Sequence, residues 1–302
     1  MTTDPAGIIL AGGEGQRLRA FIRALVGEER PKQFCAIVGD DTLLDQTRRR
    51  ARMLVDDERL LTVVTAAHER FYVPALAGIA PETIVVQPAG RGTAPAILYA
   101  LLRLDASAHR GPVVLFPSDH YVSDDAAFIA SVGDAVDAAR RHPDRVVLLG
   151  IPPDRADVQY GWIEPGEHLS GTDGGAVHAV RRFWEKPARA ISDRLRGAGG
   201  LWNSFVLVAE RESLAQLIRR AAPGLWRAFH PLATLAGTRV EPAAARAVYR
   251  TLHPVDFSRE ILETDPSSLA VLPVSRIVWN DLGEPDRVLA TRRSLEWRAV
   301  TA

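Results

Sequence analysis

The chain has 302 residues, 47% of them hydrophobic, which is enough for a substantial core in one or two domains. Its 37 basic and 37 acidic side chains cancel, so no net charge draws it to nucleic acid or to an anionic membrane surface. No uncharged apolar run approaches about 18 residues and no basic stretch opens the chain, so neither a membrane span nor a signal peptide is expected, and a cytoplasmic location is. Cys35 is the single cysteine, which excludes an internal disulfide; beside Phe34 it reads as a small buried residue.

Ala6 to Ala11 is a short apolar run. It stops at Gly12-Gly13-Glu14-Gly15, Gln16-Arg17-Leu18 follow, and Pro31-Lys32-Gln33 closes the loop. Glycine admits positive φ and lets backbone N–H groups approach a ligand. Successive N–H groups in such a turn form an anion site, and Arg17 and Lys32 add positive charge at either end. That combination suits a triphosphate. A P-loop would need G-x-x-x-x-G-K-[ST], which is absent, and a dinucleotide fingerprint would need a third glycine where Leu18 stands.

Thr42 to Val55 reads as a helix with Asp41 as its N-cap, and Arg48, Arg49, Arg50 and Arg52 are expected on its solvated face. Strands are expected at Leu60–Thr65, Thr83–Gln87, Pro112–Phe116 and Arg145–Ile151. Helices are expected at Ala67–Ala77 (interrupted at Pro74), Thr93–Leu104 and Asp124–His142. This alternation, with continuously apolar strands, predicts a mainly parallel sheet covered by helices on both faces. Beyond Pro152 the rhythm changes. Strands are expected at Tyr160–Glu164 and Ala176–Glu185 with a turn at Gly171–Gly175 between them, then a helix at Ala188–Gly197 and a strand at Trp202–Ala209. A helical region at Arg211–His253, a strand at Ser268–Val274 and a helix at Glu284–Arg298 complete the chain. The expectation is one domain over 1–302, with residues 152–302 adding antiparallel strands and a helical lid to a first half over 1–151.

Of the 37 basic residues, only Lys32 and Lys186 are lysines. A chain that uses arginine almost everywhere else marks these two as places that need a compact point charge rather than a planar fork. Gln87-Pro88-Ala89-Gly90-Arg91-Gly92-Thr93 follows a strand and opens a helix, so it can present N–H groups and Arg91 to a ligand. Asp119 lies just past the strand that ends at Phe116, where open α/β sheets gather their ligands, and a carboxylate there is placed for a metal. No G-x-S-x-G elbow accompanies Ser118, and the histidines show no zinc-ligand spacing.

The motifs together resemble the sugar-phosphate nucleotidylyltransferases, and the mannose-1-phosphate guanylyltransferase branch in particular. The resemblance runs in order through G-G-x-G-x-R-L and P-K-Q, then Gln87 to Pro95, Pro117-Ser118-Asp119-His120, and Tyr160-Gly161-Trp162-Ile163. It continues through Phe183-Trp184-Glu185-Lys186-Pro187, Trp202-Asn203-Ser204, Asp256-Phe257-Ser258 and Trp279-Asn280-Asp281-Leu282-Gly283. It implies a Rossmann-like α/β nucleotidyltransferase fold. It also implies transfer of a nucleotidyl group from GTP to mannose-1-phosphate, with release of pyrophosphate.

In that frame Leu10, Ala11, Gly12, Gly13, Gly15, Gln87, Arg91, Gly92 and Thr93 would meet the nucleotide. Arg17 and Lys32 would be catalytic, holding the triphosphate. Asp119 and Asp281 would hold Mg²⁺, while Gly161, Glu185, Lys186 and Asn203 would meet the sugar phosphate. The partners expected are a nucleoside triphosphate and a sugar-1-phosphate, and a homo-oligomer is allowed. The sequence departs from the family in three places: Gly92 stands for an asparagine, Phe205 for a glycine, and the stretch from Leu18 to Pro31 is longer than usual. No hexapeptide repeat suggests a β-helix tail. A uridylyl- or thymidylyltransferase acting on glucose-1-phosphate, and a non-catalytic nucleotide-sugar sensor, remain as alternatives.

Overall fold

The computed structural model describes residues 4–169 and 177–301, with the side chains described up to residue 295. The turn expected at 171–175 lies outside the described residues. The first half alternates as its sequence predicts: β1 (Ala6–Leu10), α1 (Arg19–Val26), α2 (Leu43–Ala51), β2 (Leu60–Thr65), α3 (Glu69–Ala75), β3 (Ile84–Gln87), α4 (Thr93–Ala106) and β4 (Pro112–Pro117). A two-residue β5 (Tyr121–Val122), α5 (Asp125–Arg141) and β6 (Val146–Ile151) follow. The second half supplies β7 (Gly161–His168), β8 (His178–Glu185), α6 (Arg189–Gly197), β9 (Leu201–Glu210), α7 (Arg211–Ala221), α8 (Pro223–Ala233) and α9 (Glu241–Thr251). A π-helical turn at Ser258–Leu262 precedes β10 (Leu269–Pro273), β11 (Trp279–Asn280) and α10 (Pro285–Thr301).

Among the described residues the strands form a nine-stranded mixed sheet in the order β3-β2-β1-β4-β9-β6-β10-β8-β7. β3, β2, β1 and β4 run parallel, as do β6 and β10. β9 runs antiparallel to β4, β6 and β7, and β8 antiparallel to β7 and β10. Successive side chains along a strand enter opposite layers: Ile8 and Val63 pack with α4 on one face, Ile9 and Val64 with α2 and α5 on the other. Both faces are covered, which is why these strands read as unbroken apolar runs.

Three expectations are corrected. The helix after the first loop is capped by Thr42, whose side chain accepts from Asp45 N at 3.1 Å, not by Asp41. Arg48 and Arg50 are buried on that helix, while Arg49 and Arg52 are exposed. Arg48 Nη1 donates to Thr62 Oγ1 at 2.7 Å, and Arg50 Nε donates to Asp125 at 2.6 Å. Their partners lie on other elements, so the local pattern could not show the burial. Finally, α7, α8 and α9 are a packing layer rather than a lid. Leu217, Ile218, Leu225, Phe229 and Tyr249 are buried in the core cluster that holds α4, and no described residue of Arg211–Thr251 borders the cleft described below.

Candidate active site

Register decides where side chains converge. Leu10 pairs with Val63 and Pro117, and Thr65 with Gln87, so β1, β2, β3 and β4 release their chains at one edge of the sheet. β7 begins and β8 ends at that edge, with Gly161 opposite Glu185, and β9 enters there with Trp202 opposite Trp162. A cleft of about 800 Å³ opens along this edge. Ligands of open α/β sheets collect beyond the carboxyl ends of parallel strands.

Leu10, Gly12, Gly13 and Arg17 border the cleft, with Gln87, Gly92 and Thr93 beside them. A Cβ on Gly12 would lie 2.8 Å from both Gln87 Nε2 and Thr65 Oγ1, so only glycine lets the loop sit this close. Gln33 straps the same loop: its Nε2 donates to the carbonyls of Ala11 and Gly13, each at 2.9 Å. Ser118 Oγ donates to Leu10 O at 2.7 Å. Gln87 is itself held, its Oε1 accepting from Tyr249 O–H at 3.1 Å.

Gly92 has φ 84° and ψ 178°, a backbone state that essentially belongs to glycine, and a Cβ there would meet Val255 O at 2.3 Å. The asparagine of the family string therefore has no room on this backbone.

At the other end of the cleft stand Gly161, Glu185, Lys186 and Asn203. Lys186 Nζ reaches Glu185 Oε1 at 2.8 Å. Burial raises the Glu185 carboxyl, and Lys186 opposes that shift.

Asp119 and Asp281 border the same cleft. The short pairing of β11 with β5, Asn280 opposite Tyr121, brings Asp281 to the segment that carries Asp119. Asp281 Oδ1 accepts from Tyr160 O–H at 3.1 Å, Gly283 N at 3.0 Å and Arg287 Nη1 at 2.7 Å. Its Oδ2 occupies space that a Cβ on Gly283 would fill, at 2.5 Å. Burial works to raise this carboxyl, but Arg287, then Lys32 and His120, overcome it and hold it below the usual range. Burial pushes the Tyr160 phenol well up, and the Asp281 charge adds to the shift. Burial also pushes His120 down to about 4, so at neutral pH the ring stays uncharged beside Asp119. Among the described residues no group of three or more His, Cys, Asp or Glu could hold a metal ion.

Four of the residues singled out in the sequence do not border the cleft. Ala11 is fully buried beneath the loop, and Gly15 (φ 59°) packs on Lys32. Arg91 Nε donates to Tyr249 O at 3.3 Å. Lys32 is buried, its ammonium donating to Asp281 O at 2.6 Å and Leu282 O at 3.3 Å and lying 3.2 Å from Asp119 Oδ2. Arg17 instead sits at the surface, pairing with Glu284 at 3.2 Å. The longer stretch after Leu18 folds into α1 and is closed by Gly27 at φ 80°.

Sequence reasoning missed Tyr160, Glu284 and Arg287. Tyr160 adjoins the recognised Gly161, and Arg287 follows the recognised Asp281 by six positions, while its other partner, Asp157, is 130 positions away.

The sheet and the cleft at its strand ends are those of an open α/β protein that binds ligand along one edge. Residues 6–296 match the nucleotidyl transferase family, and the chain belongs to it. It is 35% identical to the alginate biosynthesis protein AlgA of Pseudomonas aeruginosa over 210 residues, 68% of this chain and 42% of that one. It is 30% identical to mannose-1-phosphate guanylyltransferase 2 of Escherichia coli O157:H7 over 236 residues, 75% of this chain and 47% of that one. The chain thus spans less than half the length of these relatives. A solved structure from Thermus thermophilus, described as a mannose-1-phosphate geranyltransferase, superposes with a TM-score of 0.79 at 30% identity, over 93% of this chain and 77% of that one.

Proposed function

We propose that this chain transfers a guanylyl group from GTP to mannose-1-phosphate, giving GDP-mannose and pyrophosphate. The observation that carries the reading is convergence: the glycine loop, Asp119, Asp281 and the Glu185-Lys186 pair border one cleft. Relatives named for this reaction support the choice of substrates. An oxygen of the sugar phosphate attacks the α-phosphorus of the nucleotide, and the bond to the β-phosphate oxygen breaks. No protein nucleophile is required, so positioning and charge neutralisation supply the catalysis.

The donor set fits Mg²⁺, which is commonly held by one or two carboxylates with phosphate oxygens and water completing its shell. Asp119 and Asp281 would hold it, and it would neutralise charge on the phosphates. Arg17, half-exposed in a surface ion pair of small net worth, is free to turn to the triphosphate. Lys32 ties Asp119 to the Asp281-Leu282 backbone and balances carboxylate charge there. Lys186 would anchor the sugar phosphate, with Glu185 and the amide of Asn203 on the sugar hydroxyls. Residues 1–151 would then serve the nucleotide and 152–302 the sugar, within one domain in the cytoplasm.

A pyrophosphate-release panel tests this, pairing GTP, UTP and dTTP with mannose- and glucose-1-phosphate, with and without Mg²⁺. GTP with mannose-1-phosphate and Mg²⁺ is expected to give the highest turnover. Turnover only with UTP or dTTP and glucose-1-phosphate would overturn the guanylyl assignment. Nucleotide binding without turnover of any pair would leave a sensor.

A further inference from the structure

Phe205 stands where the family has a glycine, and the structure keeps the glycine-like backbone: φ is 60°, a conformation foreign to a bulky side chain. Three contacts hold the residue there. Its N–H donates to Asn203 Oδ1 at 3.0 Å, and Ser204 Oγ binds both Leu149 O at 2.7 Å and Val206 N at 3.1 Å. The ladder between β6 and β9 slips at the same place, passing from Leu148–Leu207 to Gly150–Asn203. Such irregularities re-aim side chains next to functional sites. The half-buried ring borders the cleft beside Asn203 and packs edge-to-face on the buried Phe257, with centroids 6.1 Å apart. Lys186, at the same end of the cleft, also has positive φ, at 50°. Strained residues that gather at a cleft point to function.

Gly161, which borders the same cleft, is packed tightly on its neighbours. A Cβ on Gly161 would meet Glu185 Oε2 at 3.0 Å, Phe183 Cζ at 3.1 Å and Asn203 Cβ at 3.3 Å. The side chain at position 205 adds bulk to the wall of the same cleft. We propose that Phe205 is the sugar-selecting residue: its ring admits a plain hexose 1-phosphate and excludes one that carries a 2-acetamido group. This rests on the assignment of the Glu185–Asn203 end to the sugar. A ring that served packing alone would not need a backbone that disfavours it. Glycine or asparagine tolerates φ 60° better.

The test compares the hexose 1-phosphate that the wild type turns over best with its 2-acetamido counterpart, in the wild type, Phe205→Gly and Phe205→Asn. Turnover and calorimetric binding are both measured. Asparagine suits the backbone and still removes the ring, so the comparison survives if the glycine variant is unstable. Either variant should lower the hexose preference in kcat/KM at least tenfold, while KM for the nucleotide changes less than twofold. An unchanged preference in a variant with a native melting profile would overturn the proposal, as would an equal loss of selectivity among nucleotides. If the wild type turns over no pair, the proposed activity fails separately. Binding then decides: acetamido-sugar phosphate bound only by the variants sustains the role of Phe205, and equal binding by all three proteins refutes it.

Discussion

Replacing Arg287 with methionine keeps much of the stem and removes the guanidinium. Nη1 lies 2.7 Å from Asp281 Oδ1 and Nη2 2.6 Å from Asp157 Oδ2, and the three side chains are only 9%, 14% and 10% exposed. The guanidinium also lies 4.3 Å from the centre of the Tyr160 ring, a cation–π contact. Removing one partner of a buried pair leaves the other charge uncompensated, at about 3–5 kcal/mol. Here each carboxylate keeps other partners: Asp281 has Tyr160 and Gly283, and Asp157 has Arg155 at 3.1 Å. The low end, about 3 kcal/mol, is therefore expected. For a chain of this size that lowers the melting temperature by about 6–12 °C.

The loss should depend on pH, and the sign follows from Asp281. Its folded carboxyl titrates below the usual range, so the stability it contributes is present above the unfolded value near about 4 and is lost as pH falls through the folded value. Urea unfolding of wild type and variant should therefore differ fully at pH 7, with the gap narrowing below about pH 4. A difference under about 0.5 kcal/mol at pH 7, within the range of ordinary surface substitutions, would refute the reasoning.

The two lysines should separate kinetically. Lys32→Met should lower kcat by freeing Asp119 from its tether to the Asp281-Leu282 backbone, while Lys186→Met should chiefly raise KM for the sugar phosphate. Steady-state kinetics with each substrate varied would contradict this if Lys186→Met weakened nucleotide binding instead. Gly92→Ala should destabilise by about 1–3 kcal/mol from its backbone alone, and more through the collision with Val255 O. An unchanged urea midpoint would show that the Val255 segment yields freely.

Much of the fold was legible because its signals are local. Apolar runs such as Leu60–Thr65 and Arg145–Ile151 read as buried strands, and strands stand at Leu60–Thr65 and Val146–Ile151. Gly12 and Asp119 follow strand ends that the sequence marks, whereas Glu185 and Asn203 were singled out only through the family resemblance, and the structure brings all four to one cleft. What escaped was charge whose partner is distant in sequence. The arginines of α2 look solvated until Thr62 and Asp125 are placed against them. Lys32 could be singled out by composition, but its tether to the 281–282 backbone could not, because β11 is only two residues long. Helices α7 to α9 were recognised as helical and misplaced as a lid, because an apolar stripe shows that a face is covered without showing by what.

The position of β9 bears on how the chain is made. β1 to β4 are complete once Pro117 has been synthesised, yet the neighbour of β4 is Leu201–Glu210. Until that segment emerges, the nascent first half carries an open, apolar sheet edge, the kind of edge that recruits foreign strands. At about 5–20 residues per second, the exposure lasts on the order of ten seconds. The same strand then closes the edge of β4 and receives β6 on its other side. Ribosome-bound chains stalled between Pro117 and Leu201 are thus the ones that should engage holdase chaperones, and those stalled after β9 has cleared the exit tunnel should not.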